Sequence, residues 1–190
     1  MTRPFLITGL PRSRTAWLAT ACNQQWSTVC HHEPIARFPS WRDSLGLWNN
    51  DEYVFTGISD SALGFHLPEI THIHAPRILV VQRTLADVKT SLRSIGIASD
   101  RYCEVLHECL QSSMSLPNVR AIPYEGLDDP YAVSVALEWL MPGIEVDLTK
   151  VVQLCRMNIQ VSLSLVLEEV AGADVNSVLG ADIVARINQQ

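Results

Sequence analysis

Lysine is nearly absent from this chain: of 14 basic residues in 190, only Lys89 and Lys150 are lysines, so the positive charge is almost wholly guanidinium. Guanidinium presents a planar fork of donors and suits oxyanion recognition, although base composition in a gene produces the same bias. A net positive charge is lacking as well. The formal charge of −6 argues against a nucleic-acid-binding surface, where a basic face is expected. There is no run of about 20 apolar residues to cross a membrane as a helix. The opening Met1-Thr-Arg-Pro passes too quickly into polar turn residues to form a signal peptide. Five cysteines, an odd number with no C-x-x-C pair, make a disulfide framework or structural zinc site unexpected. The simplest setting is a soluble, cytoplasmic protein in a reducing compartment. Internal repeats and low-complexity linkers are also missing. With 47% hydrophobic content, residues 1–190 are expected to form a single domain around one substantial core.

What is present begins at Phe5-Leu-Ile-Thr-Gly-Leu-Pro-Arg-Ser-Arg-Thr-Ala-Trp-Leu18: an apolar run, a glycine turn with two arginines, then a helical pattern. Such a strand, turn and helix start offers unpaired backbone N–H groups and the positive end of a helix dipole to an oxyanion. Arg12 and Arg14 add charge, and Ser13 and Thr15 add hydroxyl donors. Aligned on a Walker A pattern from Gly9, the closing positions are Arg14, Thr15 and Ala16. The bridging lysine and the Mg²⁺ hydroxyl are therefore both missing, and ordinary ATP or GTP hydrolysis fits poorly.

Alternating strand and helix patterns continue along the chain. Strands are expected near Phe5–Thr8, Thr28–His32, Tyr53–Ile58, Ile78–Gln82 and Val119–Pro123. Helices are expected at Ser13 to about Asn23, from near Ser61, at Leu85–Ile95, after Pro130 and after Asp147. Val161–Leu167 reads as strand or helix, and Val175–Ile187 as a final helix. The alternation means a parallel sheet covered by helices, with ligands beyond the carboxyl ends of the strands. Gly9, His32 and Arg83 fall at those ends. Arg37 to Asp51, with Trp41 and Trp48, reads either as a lid or acceptor-binding surface, or as a helix and loop that pack their tryptophans on the sheet.

Three segments together resemble the sulfotransferases that use 3′-phosphoadenosine 5′-phosphosulfate. Pro11-Arg12-Ser13-Arg14-Thr15-Ala16-Trp17-Leu18 is similar to their 5′-phosphosulfate loop, with Arg14 at a usual glycine and Ala16 at a usual hydroxyl. Arg83, Asp87-Val88 and Ser91 match the spacing of their 3′-phosphate motif. Tyr124-Glu125-Gly126-Leu127 with Asp129-Pro130 resembles a third element, read here as structural. The resemblance covers roughly residues 5 to 141. The family's C-terminal basic, glycine-containing loop has no counterpart, Arg156 being the nearest candidate.

The resemblance implies a three-layer sandwich with a central parallel sheet, P-loop NTPase-like. It also implies transfer of a sulfuryl group to a hydroxyl of a small-molecule or glycan acceptor, without a metal. Pro11, Arg12, Ser13, Arg14, Thr15, Arg83 and Ser91 would then bind the donor, with Arg12 on the sulfuryl and leaving phosphate. Arg14 at a glycine position would be strained if its φ were positive.

Cys30-His31-His32-Glu33-Pro34, just past the second strand, supplies an acceptor base. The Glu33-Pro34 pair resembles that of carbohydrate-type members, so Glu33 ranks first, His32 second and His31 third; a plain solvated turn is the competing reading. A metal site from His31, His32, His72 and His74 is disfavoured, because His72 and His74 sit in a connection with no carboxylate or thiol at ligand spacing. Two other functions stay open: a P-loop phosphotransferase, and a non-catalytic binder of 3′,5′-nucleotides.

Overall fold

The computed structural model describes residues 2–157 and Arg186. Among these, β1 (Arg3–Gly9), β2 (Thr28–His32), β3 (Phe55–Ser59), β4 (Arg77–Gln82) and β5 (Val119–Pro123) form one sheet in the order β2-β3-β1-β4-β5. Every neighbouring pair is parallel. The helices are α1 (Thr15–Asn23), α2 (Trp41–Ser44), α3 (Leu67–His74), α4 (Leu85–Arg93), α5 (Asp100–Ser113), α6 (Pro130–Leu140) and α7 (Leu148–Cys155). Short 3-10 turns lie at Pro34–Arg37, Leu45–Trp48, Ala62–His66 and Tyr124–Asp128.

Alternation along β1 makes the layers. Leu6 packs on one face with Ile58, Ile78 and Val80, under Ile70 of α3, Val88 of α4 and Leu106 of α5. Phe5 and Ile7 pack on the other with Leu79 and Val81, under Trp17 and Leu18 of α1, Leu137 of α6 and Val151 of α7. A parallel strand buried on both faces must be apolar throughout, which is why Phe5–Ile7 and Ile78–Val81 read as continuous runs. The result is the expected three-layer α/β sandwich.

Helix starts follow local chemistry. Thr84 Oγ1 accepts from the Asp87 amide at 3.2 Å, Asp129 Oδ1 from Tyr131 at 2.9 Å and Asp147 Oδ1 from Lys150 at 3.1 Å. Each cap satisfies an amide that the helix itself leaves open. β2 and β5 occupy the expected residues, the other strand boundaries move by one or two, and the helix expected from near Ser61 opens as the 3-10 turn Ala62–His66 before α3 begins at Leu67. α5 is an addition: its buried residues are Cys103, Val105, Leu106, Leu110 and Ser113, an apolar pattern interrupted by cysteine and serine.

The aromatic segment resolves in favour of packing. Trp41 and Trp48 are 4% and 3% exposed and belong to the core, so no lid is built from them. His72 and His74 lie in the last turn of α3 rather than in a connection, with the His74 ring edge-on to Trp48 at 5.2 Å. The Val161–Leu167 segment lies outside the described residues. So does the expected helix at Val175–Ile187 apart from Arg186, whose guanidinium lies 3.4 Å from the Glu108 carboxylate. No helix among the described residues is long and apolar enough to cross a membrane.

The chain passes from β1 to the far edge at β2, returns through β3, then crosses to β4 on the other side of β1. That reversal opens a crevice at the carboxyl end of β1. β1 is held there by close packing: a Cβ built on Gly57 of β3 would lie 2.1 Å from the Phe5 ring. Gly57→Ala should therefore destabilise the protein by about 3 kcal/mol through overpacking, although alanine is otherwise the better strand residue. Urea denaturation measures the loss, and an unchanged midpoint would contradict the packing.

Candidate functional site

The β1–α1 turn is unusually tight. A Cβ on Gly9 would meet the Val81 carbonyl oxygen at 2.8 Å, so the turn can lie against β4 only with glycine there. Arg12 and Arg14 both adopt the left-handed region, with φ of 64° and 60°. Between them Ser13 is fully buried, and its Oγ has no hydrogen-bond partner. Next to it, the first turn of α1 has neither a side-chain cap nor an acidic residue. A buried hydroxyl without a partner costs free energy, as does an open helix start, and an oxyanion satisfies both.

The 3′-phosphate candidates converge on this loop. Arg83 is the first residue beyond β4, and its Nη1 donates to the Arg12 carbonyl at 2.5 Å. Arg12 Nε donates to Ser91 Oγ at 3.3 Å. Arg12, Arg83 and Ser91 thus form one cluster although 79 residues separate the outer two. Asp87 and Val88, the middle of the motif, do other work: Thr84 Oγ1 donates to Asp87 Oδ2 at 2.5 Å, and Val88 fills the core.

Arg14 points to the other side. Its Nη1 lies 2.6 Å from Asp128 Oδ1, and its guanidinium stacks 4.9 Å over Trp17 and 5.9 Å over Tyr124. The Tyr124 ring also carries Arg83, at 4.3 Å. Tyr124, read from sequence as structural, therefore joins the two arginines. Pro11 is partly exposed at the rim, while Thr15 is buried and its carbonyl accepts from Ser59 Oγ at 2.9 Å.

The second cluster lies at the ends of β2 and β3. Glu33 turns left-handed, φ 44°, and its amide donates to the Ser59 carbonyl at 2.8 Å. His32 Nε2 stands 3.8 Å from Glu33 Oε1. His31 differs. Burial, then the charge of Arg37, lower its pKa, and its buried Nε2 has no partner, so the ring is neutral near pH 7.

Asp60, directly after β3, was not singled out from sequence. It is 2% exposed; Oδ2 accepts from the Ile35 amide at 3.2 Å and Oδ1 from the Ala62 amide at 2.9 Å. Burial, then the charge of Glu33, push it up to about 7 against these hydrogen bonds. For an acid raised in the folded state, the stabilising contribution is complete below the unfolded pKa, near 4, and is lost as pH rises through about 7. A lone Asp after a strand usually signals a turn, and only the three-dimensional proximity of Glu33 marks this one. Among the described residues no group of three or more His, Cys, Asp or Glu side chains is placed to hold a metal ion.

No family model matches the sequence, and no curated protein does. Among solved structures, the chain is similar to the crystal structure of a sulfotransferase from Alicyclobacillus acidocaldarius, with a TM-score of 0.58 at 15% identity. The match spans 98% of this chain and 95% of that one. At that identity the likeness establishes the fold: the parallel sheet flanked by helices is a sulfotransferase-like, P-loop-like α/β fold.

Arg14 separates backbone strain from side-chain contacts. Arg14→Ala loses the Asp128 and Trp17 contacts and keeps an unfavourable left-handed backbone, whereas Arg14→Gly loses the same contacts and relieves it. The glycine variant should be about 1 kcal/mol more stable than the alanine variant in chemical denaturation. The reverse order would mean that the turn changes shape when the guanidinium is removed.

Proposed function

We propose that this chain is a sulfotransferase, one α/β domain that takes 3′-phosphoadenosine 5′-phosphosulfate as donor and a hydroxyl of a small molecule or glycan as acceptor. The observation that carries the reading is the buried, unpartnered Ser13 Oγ at an uncapped helix start, with Arg12, Arg83 and Ser91 gathered beside it. Two anion positions lie within one cluster, which is what a nucleotide with phosphates at both ends of its ribose requires. The free thiols of Cys22, Cys30, Cys103, Cys109 and Cys155 suit a reducing cytoplasm.

The roles follow from placement. Pro11, Ser13, Thr15 and the first amides of α1 would hold the 5′ end, with Arg14 adding charge from its place on Asp128. Arg83 and Ser91 would hold the 3′-phosphate. Arg12 would neutralise the negative charge that grows on the leaving oxygen, the largest single contribution in such transfers. The donor supplies an activated sulfuryl group: the acceptor oxygen bonds sulfur as the sulfur–oxygen bond to the 5′-phosphate breaks. Glu33 would take the acceptor's hydroxyl proton, with His32 beside it as the second candidate. Ala16 offers no hydroxyl for Mg²⁺, which weighs against a phosphotransferase.

Calorimetric titration tests the binding half. Adenosine 3′,5′-bisphosphate should bind well more tightly than adenosine 5′-monophosphate, with EDTA making no difference. Arg83→Ala should weaken the bisphosphate by on the order of 2 kcal/mol, or roughly thirtyfold. Equal affinity for the two nucleotides would remove the assignment of Arg83 and Ser91.

Transfer assays test the chemistry. Glu33→Gln is expected to retain bisphosphate affinity and lower turnover by roughly 10² to 10⁴. An inactive His32→Ala beside an active Glu33→Gln would move the base to the imidazole.

A further inference from the structure

The turn that carries Glu33 is held in an unusual way. A non-glycine residue in the left-handed region is unfavourable by about 1–2 kcal/mol, so something must hold Glu33 there. Two groups at the end of β3 do so. The Ser59 carbonyl accepts from the Glu33 amide at 2.8 Å, and Asp60 Oδ2 accepts from the Ile35 amide at 3.2 Å, two residues on. The other Asp60 oxygen is occupied by the Ala62 amide at 2.9 Å, so the carboxylate is fixed on both sides.

We propose that Asp60 is a positioning residue for Glu33: its buried carboxylate, held by the Ile35 and Ala62 amides, seats the left-handed turn that carries Glu33 against β3. This rests on the reading of Glu33 as the acceptor base. A carboxylate bridged by two backbone amides would be an ordinary turn device at the surface. Asp60 is 2% exposed and has a second carboxylate for a neighbour, an arrangement that burial and repulsion both oppose. Asn offers one acceptor oxygen and could hold only one of the two amides, whereas both oxygens of the Asp60 carboxylate are used.

The titratable groups that face Asp60 are Glu33 from the end of β2 and Tyr102 from α5. The Tyr102 phenol is pushed up by burial, then by the charges of Asp60, Cys103 and Glu33, and stays protonated over the working range. The amides of Ile35, Ala62 and Leu63 oppose the upward shift of Asp60 and favour its ionised form. As pH rises through neutrality, the ionised carboxylate tightens on the Ile35 amide and the turn is set for proton transfer.

Asp60→Asn keeps the size of the side chain, removes the charge and leaves one acceptor oxygen for the two amides. In transfer assays it should lower kcat about tenfold, leave adenosine 3′,5′-bisphosphate affinity unchanged, and move the acid limb of the kcat profile down by about one pH unit. A lower kcat with an unmoved limb would mean a merely structural side chain and would overturn the proposal. Wild-type kcat and an unmoved limb in Asp60→Asn, beside an inactive Glu33→Gln, would also overturn it while sparing the base assignment. An active Glu33→Gln enzyme would remove that assignment and this inference with it. Should Asp60→Asn not fold, wild-type protein labelled with ¹⁵N gives a second readout. The Ile35 amide proton should shift with pH at the same midpoint as the acid limb, and an amide that does not titrate would refute the coupling.

Discussion

Gly9 lies so close to β4 that no side chain fits between it and the Val81 carbonyl, and the organisation of the site depends on that contact. The turn is drawn across the end of β4, which brings the Arg12 carbonyl within reach of the Arg83 guanidinium. Arg12 and Arg14 take left-handed conformations to complete the turn, and Ser13 is carried inward with its hydroxyl unsatisfied. A longer turn would relieve these residues and leave Arg83 without its anchor. Strain at a functional loop is tolerable because the strands beneath it are buried on both faces and cannot give way.

Strand order divides the site chemically. With β1 in the middle, its neighbours on one side, β3 and β2, end in Asp60 and Glu33, and those on the other, β4 and β5, end in Arg83 and Tyr124. The Arg83 guanidinium and the Asp60 and Glu33 carboxylates are thereby kept on opposite flanks of one loop. The chain as a whole is negative at −6, so the gathering of Arg12, Arg14 and Arg83 is a local arrangement rather than a reflection of overall charge. Asp128 offsets part of the charge of Arg14, at 2.6 Å, but Arg12 and Arg83 meet a carbonyl, a hydroxyl and an aromatic ring, all uncharged.

Much of this was legible in the sequence, for physical reasons. Continuous apolar runs such as Ile78–Val81 declare strands buried on both faces, and Arg83 and Ser91 are eight residues apart along one strand end and helix, so their convergence could be read before any fold was known. What escaped depends on contacts between distant segments. Asp60 looks like a turn residue until β2 is placed beside β3. Tyr124 looks like a strand-end aromatic until two guanidinium groups are found on its ring. The Trp41 and Trp48 segment allowed a lid or a buried cover, and only packing against Ile58 and Leu63 decides it. α5 was hidden because cysteine and serine share its buried face with Val105, Leu106 and Leu110.

Ser59 joins the two flanks. Its hydroxyl donates to the Thr15 carbonyl at 2.9 Å, in the first turn of α1, while its own carbonyl accepts from the Glu33 amide at 2.8 Å. One buried residue at the end of β3 thus touches both the helix that follows the anion loop and the turn that carries the carboxylate. Neither bond depends on side-chain ionisation, so the spacing between the flanks is held by neutral hydrogen bonds at any pH where the sheet is folded. Protonation then acts on the flank that holds Asp60, Glu33 and His32. The arginines keep their charge throughout, so the guanidinium flank stays constant while the carboxylate flank responds to pH.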